Sequence, residues 1–314
     1  MKEYKKFFIK LLVFVVLAVI VDILLGVLFR TMETRAVASS PHEMIVENVV
    51  NNVQSDVLLI GGSEVNHSIN ANTIADSLGM SVYNCGKDAV RFYVQDVFVN
   101  SILDRYTPKM IVWSMYPEKL APPEDETIGL LSQLNPLYRR NKYAKEVLQA
   151  KSKYESVKLL SQAYTYNSQF LNYLSKIVKP ESEELRKLNG YAPLPVTDKE
   201  IEIHERDYWV EEYDTAVVEV FAKTIKRCVD SGVQVVFVMV PRFEAEEHES
   251  VPSFKMLKSI ADDYHIPFIE EYYHYEPLME SKYFKDFAHL NEDGANLFTP
   301  LLASRLRKVL LFNE

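Results

Sequence analysis

The first hydrophobic feature of the chain is the apolar run Leu11–Phe29, LLVFVVLAVIVDILLGVLF, which only Asp22 interrupts. At about 1.5 Å per residue, a helix of this length nearly crosses a hydrocarbon core of roughly 30 Å. Arg30 follows the run, whereas four lysines precede it: Lys2, Lys5, Lys6 and Lys10. This asymmetry predicts a cytoplasmic N-terminus and a C-terminal domain that is periplasmic or extracellular. We therefore expect residues 1–30 to form a cytoplasmic tip and a single membrane anchor, with residues 11–29 in the lipid bilayer.

A cleaved signal peptide is the alternative to an uncleaved anchor. The segment Ala36–Ala38, AVA, resembles a small-residue cleavage site. It lies well beyond a hydrophobic run that is already longer than the usual core of a signal peptide, so the pattern favours the anchor. Asp22 is costly in lipid, and it either marks a helix–helix contact or is merely tolerated.

Residues 31–54 are expected to form an exposed, partly helical stalk, and from Asp56 onward strand-like and helix-like segments alternate. The predicted strands are short apolar runs: DVLLIGG, SVYNCG, PKMIVWSMYP, VQVVFVMVP and PFIE. The predicted helices are amphipathic: NANTIADSLGM, VRFYVQDVFVNSILDRY, EEYDTAVVEVFAKTIKRCVDSG, SFKMLKSIADDYHI and NEDGANLFTPLLASRLRKVL. This alternation predicts an α/β fold, with a parallel sheet and helices on both faces.

Several helix ends are marked by particular residues. Asn70 stands near the start of the first predicted helix and Gly79 at its C-terminal cap, while Gly232 ends a later helix. Pro300 lies inside the last predicted helix, where we expect a kink or a break because proline removes a backbone donor.

An insertion of about residues 117–209 separates the third and fourth strands, and it is too long for an ordinary connection. We interpret it as a cap, a lid or a partner surface. It contains the tyrosines Tyr138, Tyr143, Tyr154, Tyr164, Tyr166, Tyr173 and Tyr191. Tyrosines line carbohydrate grooves in some proteins, but they more often pack small helical subdomains.

The charge of the chain limits its partners. The formal net charge is −9, with 35 basic and 44 acidic residues. Residues 1–30 contain five basic and two acidic residues, so the rest of the chain has 30 basic and 42 acidic residues and a net charge of −12. An acidic surface is a poor match for nucleic acid, so no nucleic-acid partner is expected. Cys85 and Cys228 lie far apart in sequence; outside the cytoplasm a disulfide is permitted, but two buried free cysteines are the simpler interpretation. Neither belongs to a metal-binding spacing.

The stretch DVLLIGGSEVNHS, residues 56–68, places Ser63 immediately after a strand and two glycines. Parallel sheets carry their sites at the carboxyl ends of the strands. The sequence is therefore consistent with a tight turn alone, or with a serine presented at the edge of the sheet for nucleophilic chemistry.

A serine nucleophile requires a base, and the chain has seven histidines. His289 lies in KDFAHLNEDGA, directly before the last predicted helix and three residues after Asp286. An Asp-x-x-His turn can hold one ring nitrogen with the carboxylate while the other nitrogen faces the serine. His67 is interpreted as a local hydrogen-bonding residue. The remaining histidines fall in the stalk, the insertion, an acidic run or segments near a strand: His42, His204, His248, His265 and His274.

Ser63 after a glycine-rich turn on the first strand, together with Asp286-x-x-His289 before the last helix, resembles the SGNH (GDSL-type) hydrolase superfamily. In particular, the chain resembles membrane-anchored SGNH-like proteins of bacterial envelopes. The resemblance covers about residues 55–117 and 210–310, within a domain of residues 55–314. It implies a three-layer SGNH/flavodoxin-like fold, with Ser63 as nucleophile, His289 as general base and Asp286 as the residue that orients it. The backbone N–H groups of Ser63 and Gly86 would form the oxyanion hole.

Two positions depart from the family pattern. An aspartate is usual before the serine, and this chain has Gly62 there. The block after MIVW, which usually carries an oxyanion-hole asparagine, reads SMYPEK. Substitute donors are Asn66, Ser114 or Tyr116, and the sequence does not choose among them.

The resemblance implies hydrolysis of an O-acyl ester, with acetyl the expected group, on carbohydrate at the cell envelope and without a metal or organic cofactor. Two other functions stay open. The same triad would serve an envelope polysaccharide O-acyltransferase. Alternatively, the scaffold would be noncatalytic and act in binding or assembly through its tyrosine-rich insertion.

Overall fold

The chain folds into two compact units that each combine distant segments. The computed structural model describes residues 2–122, 130–197, 201, 213–243 and 251–311. One unit comprises Met1–Met44 and Leu131–Glu181, and the other comprises Ile45–Leu130 and Ser182–Glu314. His204 and His248 lie outside the described residues.

The second unit is built on a five-stranded parallel sheet with the order β2-β1-β3-β4-β5. Its strands are β1 (Val57–Ile60), β2 (Val82–Asn84), β3 (Met110–Ser114), β4 (Gln234–Val238) and β5 (Phe268–Ile269). A separate antiparallel pair joins β6 (Phe284–Asp286) to β7 (His289–Leu290). In this order the chain reverses direction across the sheet between β1 and β3, which is where ligands bind in such folds.

The helices, in chain order, precede, connect and follow these strands. They are α1 (Lys2–Ser39), α2 (Ile45–Asn51), α3 (Ser63–Ser68), α4 (Ala71–Leu78), α5 (Phe92–Leu103), α6 (Lys142–Lys151), α7 (Glu155–Lys158), α8 (Gln162–Tyr166), α9 (Phe170–Val178), α10 (Glu183–Arg186), α11 (Thr215–Asp230), α12 (Pro252–Asp263) and α13 (Glu292–Leu311). Short 3₁₀ turns occur at Pro117–Leu120, Leu131–Leu137, Glu276–Leu278 and Ser281–Tyr283.

The predicted α/β class is confirmed, because helices cover both faces of the sheet. Every position of β1 and β3 is buried, as expected for strands between two helical layers. The predicted helix ends are also confirmed. The Asn70 side chain accepts from the N–H groups of Asn72 and Thr73, and Gly79 adopts φ +66° at the other end of α4.

Of the kink or break expected at Pro300, the break does not occur, because α13 runs without interruption from Glu292 to Leu311. Proline removes one backbone hydrogen bond, to the carbonyl of Asn296 one turn earlier. Both Pro300 and Asn296 lie on the exposed side of the helix, where water can satisfy that carbonyl.

The first unit consists of α1 and the helices α6–α9 of the insertion. By length and composition α1 can cross a membrane, and most of its large apolar side chains from Tyr4 to Leu28 are exposed. The expected exposed stalk differs from the structure, because α1 continues to Ser39 and buries Glu33 and Ala36. The buried residues contact the insertion.

Tyrosines of the insertion pack this small helical unit, as the simpler interpretation anticipated. Tyr166 and Tyr173 form a buried cluster with Ala36 and Met44 of the N-terminal segment. The Tyr166 ring also packs against Phe29, with 5.6 Å between the ring centroids. Cys85 and Cys228 are buried and free, as predicted.

Candidate active site

Ser63 is the first residue of α3, directly beyond the carboxyl end of β1. The two glycines before it allow the first turn of α3 to fold back over the strand end. A Cβ on Gly61 would lie 2.2 Å from Val65 Cγ2, and a Cβ on Gly62 would lie 2.5 Å from Glu64 Oε2. Side chains at either position would therefore displace the turn that presents the serine.

The Ser63 hydroxyl contacts the His289 imidazole, with 2.6 Å between Oγ and Nε2. On the other side of the ring, Nδ1 lies 2.8 Å from Asp286 Oδ1 and 3.0 Å from Oδ2. A neutral imidazole that donates from Nδ1 to the carboxylate leaves Nε2 as an acceptor for the serine proton. The structure thus brings the three predicted residues together in the order serine, histidine, aspartate.

The Asp286 carboxylate is fixed by its own turn. Its Oδ1 accepts hydrogen bonds from the N–H groups of Ala288 and His289, at 2.9 and 3.0 Å. Burial alone would raise the pKa of the Asp286 carboxyl, but the His289 ring and these N–H groups outweigh it, and the pKa is lowered overall. The carboxylate therefore stays ionised and keeps the ring oriented.

Contacts away from the triad hold α3 against the segment that carries His289. The N–H of Leu290 donates to Ser68 Oγ at 3.4 Å, and the N–H of Asn70 donates to Thr299 Oγ1 at 3.1 Å. Because Ser68 and Asn70 lie at the end of α3 and just beyond it, these bonds fix the position of α3 relative to β7 and α13.

The Gly86 amide, predicted as an oxyanion donor, already donates to Asn84 Oδ1 at 2.8 Å. Asn84 is fully buried, and its Nδ2 donates to the carbonyls of Val65 and Ile69. The Asn84 amide nitrogen therefore caps the end of α3, while its oxygen accepts from the Gly86 N–H. Gly86 also packs closely on α3, since a Cβ there would lie 2.4 Å from the Asn66 nitrogen.

The three substitute donors have different surroundings. The Tyr116 hydroxyl is buried and donates to the Val240 carbonyl at 2.8 Å. Ser114 is fully buried at the end of β3, and its Oγ has no partner among the described residues. Asn66 lies three residues after Ser63 on α3, so the two side chains share a helix face. Its Nδ2 donates to Asp88 Oδ1 at 3.1 Å.

The Glu64 carboxylate occupies the space beside Gly62 where a side chain at position 62 would lie. Its Oε1 accepts from the Gly62 N–H at 3.0 Å and lies 3.0 Å from Lys119 Nζ. Burial alone would raise the pKa of the Glu64 carboxyl, but Lys119, the Gly62 N–H and Arg242 hold the pKa at about 2. Glu64, which follows the serine in sequence, therefore places its carboxylate close to where an aspartate at position 62 would place its own.

The Glu64–Lys119 pair belongs to a larger buried charge cluster beneath the turn. Arg242 pairs with Glu118, with 2.8 Å between Nη1 and Oε1, and its guanidinium lies over the Tyr116 ring. Lys119 comes from the SMYPEK block, which lacks the expected asparagine. The two positions that differ from the family pattern, Gly62 and the SMYPEK block, are therefore linked through the Glu64–Lys119 contact.

His67 lies beside the triad and is held from both ring nitrogens. Nδ1 lies 2.6 Å from the carbonyl oxygen of Ala192, and Nε2 lies 2.9 Å from Asp88 Oδ1. Both partners are acceptors, so the ring satisfies both only when it is protonated. Burial alone would lower the pKa of His67, but its bonds to Asp88 and Ala192 and the Asp88 charge raise it overall. The ring also packs edge-on against His289, with 5.7 Å between centroids.

The roles of Glu64, Lys119 and Asp88 are not indicated by the sequence pattern, which predicts only a local role for His67. Glu64 could have been found from the sequence, because Gly62 replaces the usual aspartate and Glu64 is the acidic residue next to Ser63. The partners of His67 lie 21 and 125 positions away, and nothing in the local pattern indicates them.

The contribution of the His67–Asp88 pair to the free energy of unfolding should depend on pH. The folded-state pKa of His67 is raised above its unfolded value of about 6.5, so its contribution is complete below that pH and lost as the pH rises through the folded pKa. Asp88→Asn should therefore lower the free energy of unfolding near pH 5 by less than about 1 kcal/mol, because the Asp88 side chain is 61% exposed. The difference should shrink as the pH rises through the folded-state pKa of His67.

Denaturant unfolding of the detergent-solubilised protein at several pH values measures this difference. Asp104→Asn is the matched control, since Asp104 pairs with Arg227, which does not titrate in this range. The control difference should stay constant between about pH 5 and pH 8. An equally constant difference for Asp88→Asn would contradict the charged pair.

Comparisons with known proteins give a structural likeness only. No family model matches the chain, and no curated protein matches it. A Bacteroides fragilis protein assigned as an acylhydrolase is similar, at 12% identity and a TM-score of 0.39, over 84% of this chain and 95% of that chain. An acetyl xylan esterase is similar at 10% identity and a TM-score of 0.40, over 81% and 98% of the two chains. A GDSL-like lipase from Bacteroides thetaiotaomicron is similar at 11% identity and a TM-score of 0.37, over 81% and 88%.

The order of the strands and the places of the site residues define the fold. The parallel sheet has the strand order β2-β1-β3-β4-β5, and Ser63 follows β1 while Asp286 and His289 precede α13. Ser63, Asp286 and His289 lie where the sequence predicts them relative to these elements, and the chain has a three-layer α/β fold with a five-stranded parallel sheet.

Proposed function

We propose that the protein is a serine-dependent hydrolase of O-acyl esters carried on carbohydrate at the cell envelope, with acetyl as the acyl group. The observation that carries this proposal is the 2.6 Å contact between Ser63 Oγ and His289 Nε2, with Asp286 behind the ring. The expected membrane anchor supports an envelope substrate, and the acidic chain argues against a nucleic-acid one.

In the first half of the reaction, Ser63 Oγ attacks the ester carbonyl carbon while His289 Nε2 accepts the serine proton. The bond from the carbonyl carbon to the sugar oxygen then breaks, and His289 returns the proton to that oxygen. In the second half, His289 takes a proton from water, which attacks the acyl-serine. The free acid leaves, and Ser63 recovers its proton.

The tetrahedral intermediate requires donors for its oxyanion. The Ser63 N–H lies at the first position of α3, where helical N–H groups have no intrahelical acceptor. We assign the second donor to the Asn66 side chain, because Asn66 shares the Ser63 face of α3. The Gly86 N–H can join them only where Asn84 Oδ1 shares it.

Glu64 and Lys119 act as positioning residues in this scheme. The Glu64 carboxylate accepts from the Gly62 N–H and so holds the peptide immediately before the nucleophile. Lys119 neutralises that carboxylate in a buried place, where an unpaired charge would be costly.

Replacement of Ser63 by alanine should lower kcat for a reactive acetyl ester on the order of 10³-fold or more. His289→Ala should cost about as much, and the addition of Asp286→Ala to either change should cost little more, because the three residues act as a unit. Folding should be nearly unchanged for Ser63→Ala, since a single partly exposed hydroxyl contributes little stability. Turnover by the detergent-solubilised full chain measures the effect.

The exposed Ser168 provides the control for that series, and Ser168→Ala should retain wild-type turnover. Full activity in Ser63→Ala would contradict the proposal. The products on an acetylated oligosaccharide separate the other functions. Free acid supports the hydrolase, whereas transfer of the acyl group to an added sugar as the main product would establish the acyltransferase. Binding of the sugar without turnover would favour the noncatalytic scaffold.

Asn66→Ala should lower kcat about 10²-fold with little change in KM, because an oxyanion donor acts on the transition state. Asn66→Asp should lose as much, since it keeps the shape but removes the N–H donors. Asp88→Asn is the control that separates catalysis from structure, because it disturbs the partner of Asn66 and leaves the amide in place. An equal loss of kcat in Asp88→Asn would show that Asn66 only holds the Asp88 loop.

Gly62→Asp should lower activity at least about 10-fold and destabilise the fold by about 1–3 kcal/mol, because the new side chain meets the Glu64 carboxylate. Glu64→Ala alone should also be damaging, since it leaves Lys119 buried without its partner. The double variant Gly62→Asp/Glu64→Ala should recover much of both losses, because the new carboxylate can pair with Lys119. Turnover and denaturant unfolding of the three variants check this, and a double variant no better than either single one would contradict the exchange.

A further inference from the structure

The insertion contacts α1 within the apolar run itself. Asp22 Oδ1 accepts from Ser161 Oγ at 2.8 Å and from the Ala163 N–H at 3.0 Å, and Oδ2 accepts from the Gln162 N–H at 2.8 Å. The acidic residue of the apolar run therefore caps the N-terminus of α8. One turn later on α1, a Cβ on Gly26 would lie 2.6 Å from Gln162 Cγ, so the two segments are in close contact.

This contact sets the depth of the insertion. Asp22 lies seven residues before Phe29, the last residue of the apolar run, which corresponds to about 10 Å along a helix. If residues 11–29 cross the bilayer, the start of α8 lies about that far inside the outer boundary of the hydrocarbon. Polar backbone at such a depth requires partners within the protein. Asp22 supplies them to α8, and Arg139 Nη2 donates to the carbonyls of Leu159 and Leu160.

In the segments that precede and follow Ser161–Ala163 in sequence, several apolar side chains are uncovered. Val157 is 66% exposed, Leu160 68% and Leu171 73%, and Tyr154 is 59% exposed. Leu159, between Val157 and Leu160 in sequence, is fully buried, so the segment has one face in the protein and another open. Large apolar side chains clustered at a surface mark an interaction site.

The charge of the same segment differs from that of the chain. Residues 138–166 contain two acidic residues, Glu146 and Glu155, in a protein of net charge −9. They contain seven basic residues: Arg139, Arg140, Lys142, Lys145, Lys151, Lys153 and Lys158. Basic residues near an anionic bilayer are attracted by about 1 kcal/mol each.

Two lysine ammonium groups of this segment lie over tyrosine rings, a pairing that suits a membrane interface. Lys153 Nζ lies 5.0 Å from the centroid of the Tyr154 ring, and Lys158 Nζ lies 5.8 Å from that of Tyr164. Tyrosine rings settle at the headgroup level, and lysine side chains extend their ammonium groups toward the phosphates.

We propose that Tyr154, Val157, Leu160 and Leu171 form a lipid-docking surface that enters the outer leaflet of an anionic phospholipid bilayer, with Lys151, Lys153 and Lys158 at the phosphates. The proposal rests on α1 crossing the membrane, and it is independent of the chemistry at Ser63. Interfacial helices bury their apolar side chains about 5–10 Å into the boundary between headgroups and acyl chains, which matches the depth set by Asp22.

Fluorescence quenching by nitroxide-labelled acyl chains tests the surface in the full-length protein. The protein is reconstituted in phosphatidylcholine/phosphatidylglycerol vesicles after a fluorophore is attached at one new cysteine. Cys85 and Cys228 are buried, and the parent protein measures their background. Leu160→Cys is the test position, Leu17→Cys reports the span, and Lys179→Cys is an exposed control in the same unit.

Quenching at Leu160→Cys comparable to that at Leu17→Cys, with none at Lys179→Cys, is the expected result. Quenching at Leu17→Cys alone would overturn the lipid-docking surface while leaving the span in place. No quenching at either position would overturn both. Disulfide-linked dimers of unlabelled Leu160→Cys without lipid quenching would show that a second copy of the chain covers the surface instead.

The basic residues are tested separately with the triple change Lys151→Gln, Lys153→Gln and Lys158→Gln in the Leu160→Cys background. Quenching in the parent should increase as phosphatidylglycerol replaces phosphatidylcholine, and the triple variant should lose at least half of that increase. The same change at Lys255, Lys285 and Lys308, which lie in the other unit, is the control and should leave the increase intact. An unchanged lipid dependence in the first triple variant would contradict the assignment of these lysines to the phosphates.

Discussion

The hydrogen bond between Ser63 and His289 joins residues 226 positions apart, and the candidate site depends on it. It forms only if the end of β1 and the segment before α13 reach the same edge of the sheet. The parallel sheet favours this, because the segment with His289 follows β5, and the carboxyl ends of β1 and β5 lie at the same edge. Two lateral bonds, from Leu290 to Ser68 and from Asn70 to Thr299, then fix the distance.

The turn that carries Ser63 is held by buried charge rather than by packing alone. Glu64 and Lys119 are each largely removed from water, which costs free energy that their mutual contact and the Gly62 N–H must offset. Arg242 and Glu118 extend the same cluster. Such a cluster is sensitive to the loss of any one member, and position 62 is restricted to glycine as long as the Glu64 carboxylate occupies the space beside it.

Much of the fold could be predicted because its signals are local. Apolar runs identified β1 and β3, and Asn70 and Gly79 marked the ends of α4. The same alternation placed Ser63 after the first strand, whereas Asp286 and His289 were indicated by the Asp-x-x-His spacing before the last helix and by the family resemblance.

The parts that could not be predicted depend on where distant side chains meet. The Asn84 side chain points toward α3 and accepts from the Gly86 N–H. The sequence of the segment does not indicate this side-chain orientation. The charge pairing of His67 requires Asp88 and the backbone of Ala192, which approach only in the folded chain. The intact α13 around Pro300 and the burial of Glu33 likewise depend on which helix face is covered.

If His289 activates Ser63 as a nucleophile, Ser63 should react covalently with a reagent specific for activated serines. The full-length protein is treated with a fluorophosphonate, digested, and mapped by mass spectrometry. We expect one adduct, on the hydroxyl of Ser63, that forms rapidly in the native protein and is lost in His289→Ala. An unmodified Ser63 peptide under conditions that label a known serine hydrolase, or an adduct that forms equally well without His289, would contradict it.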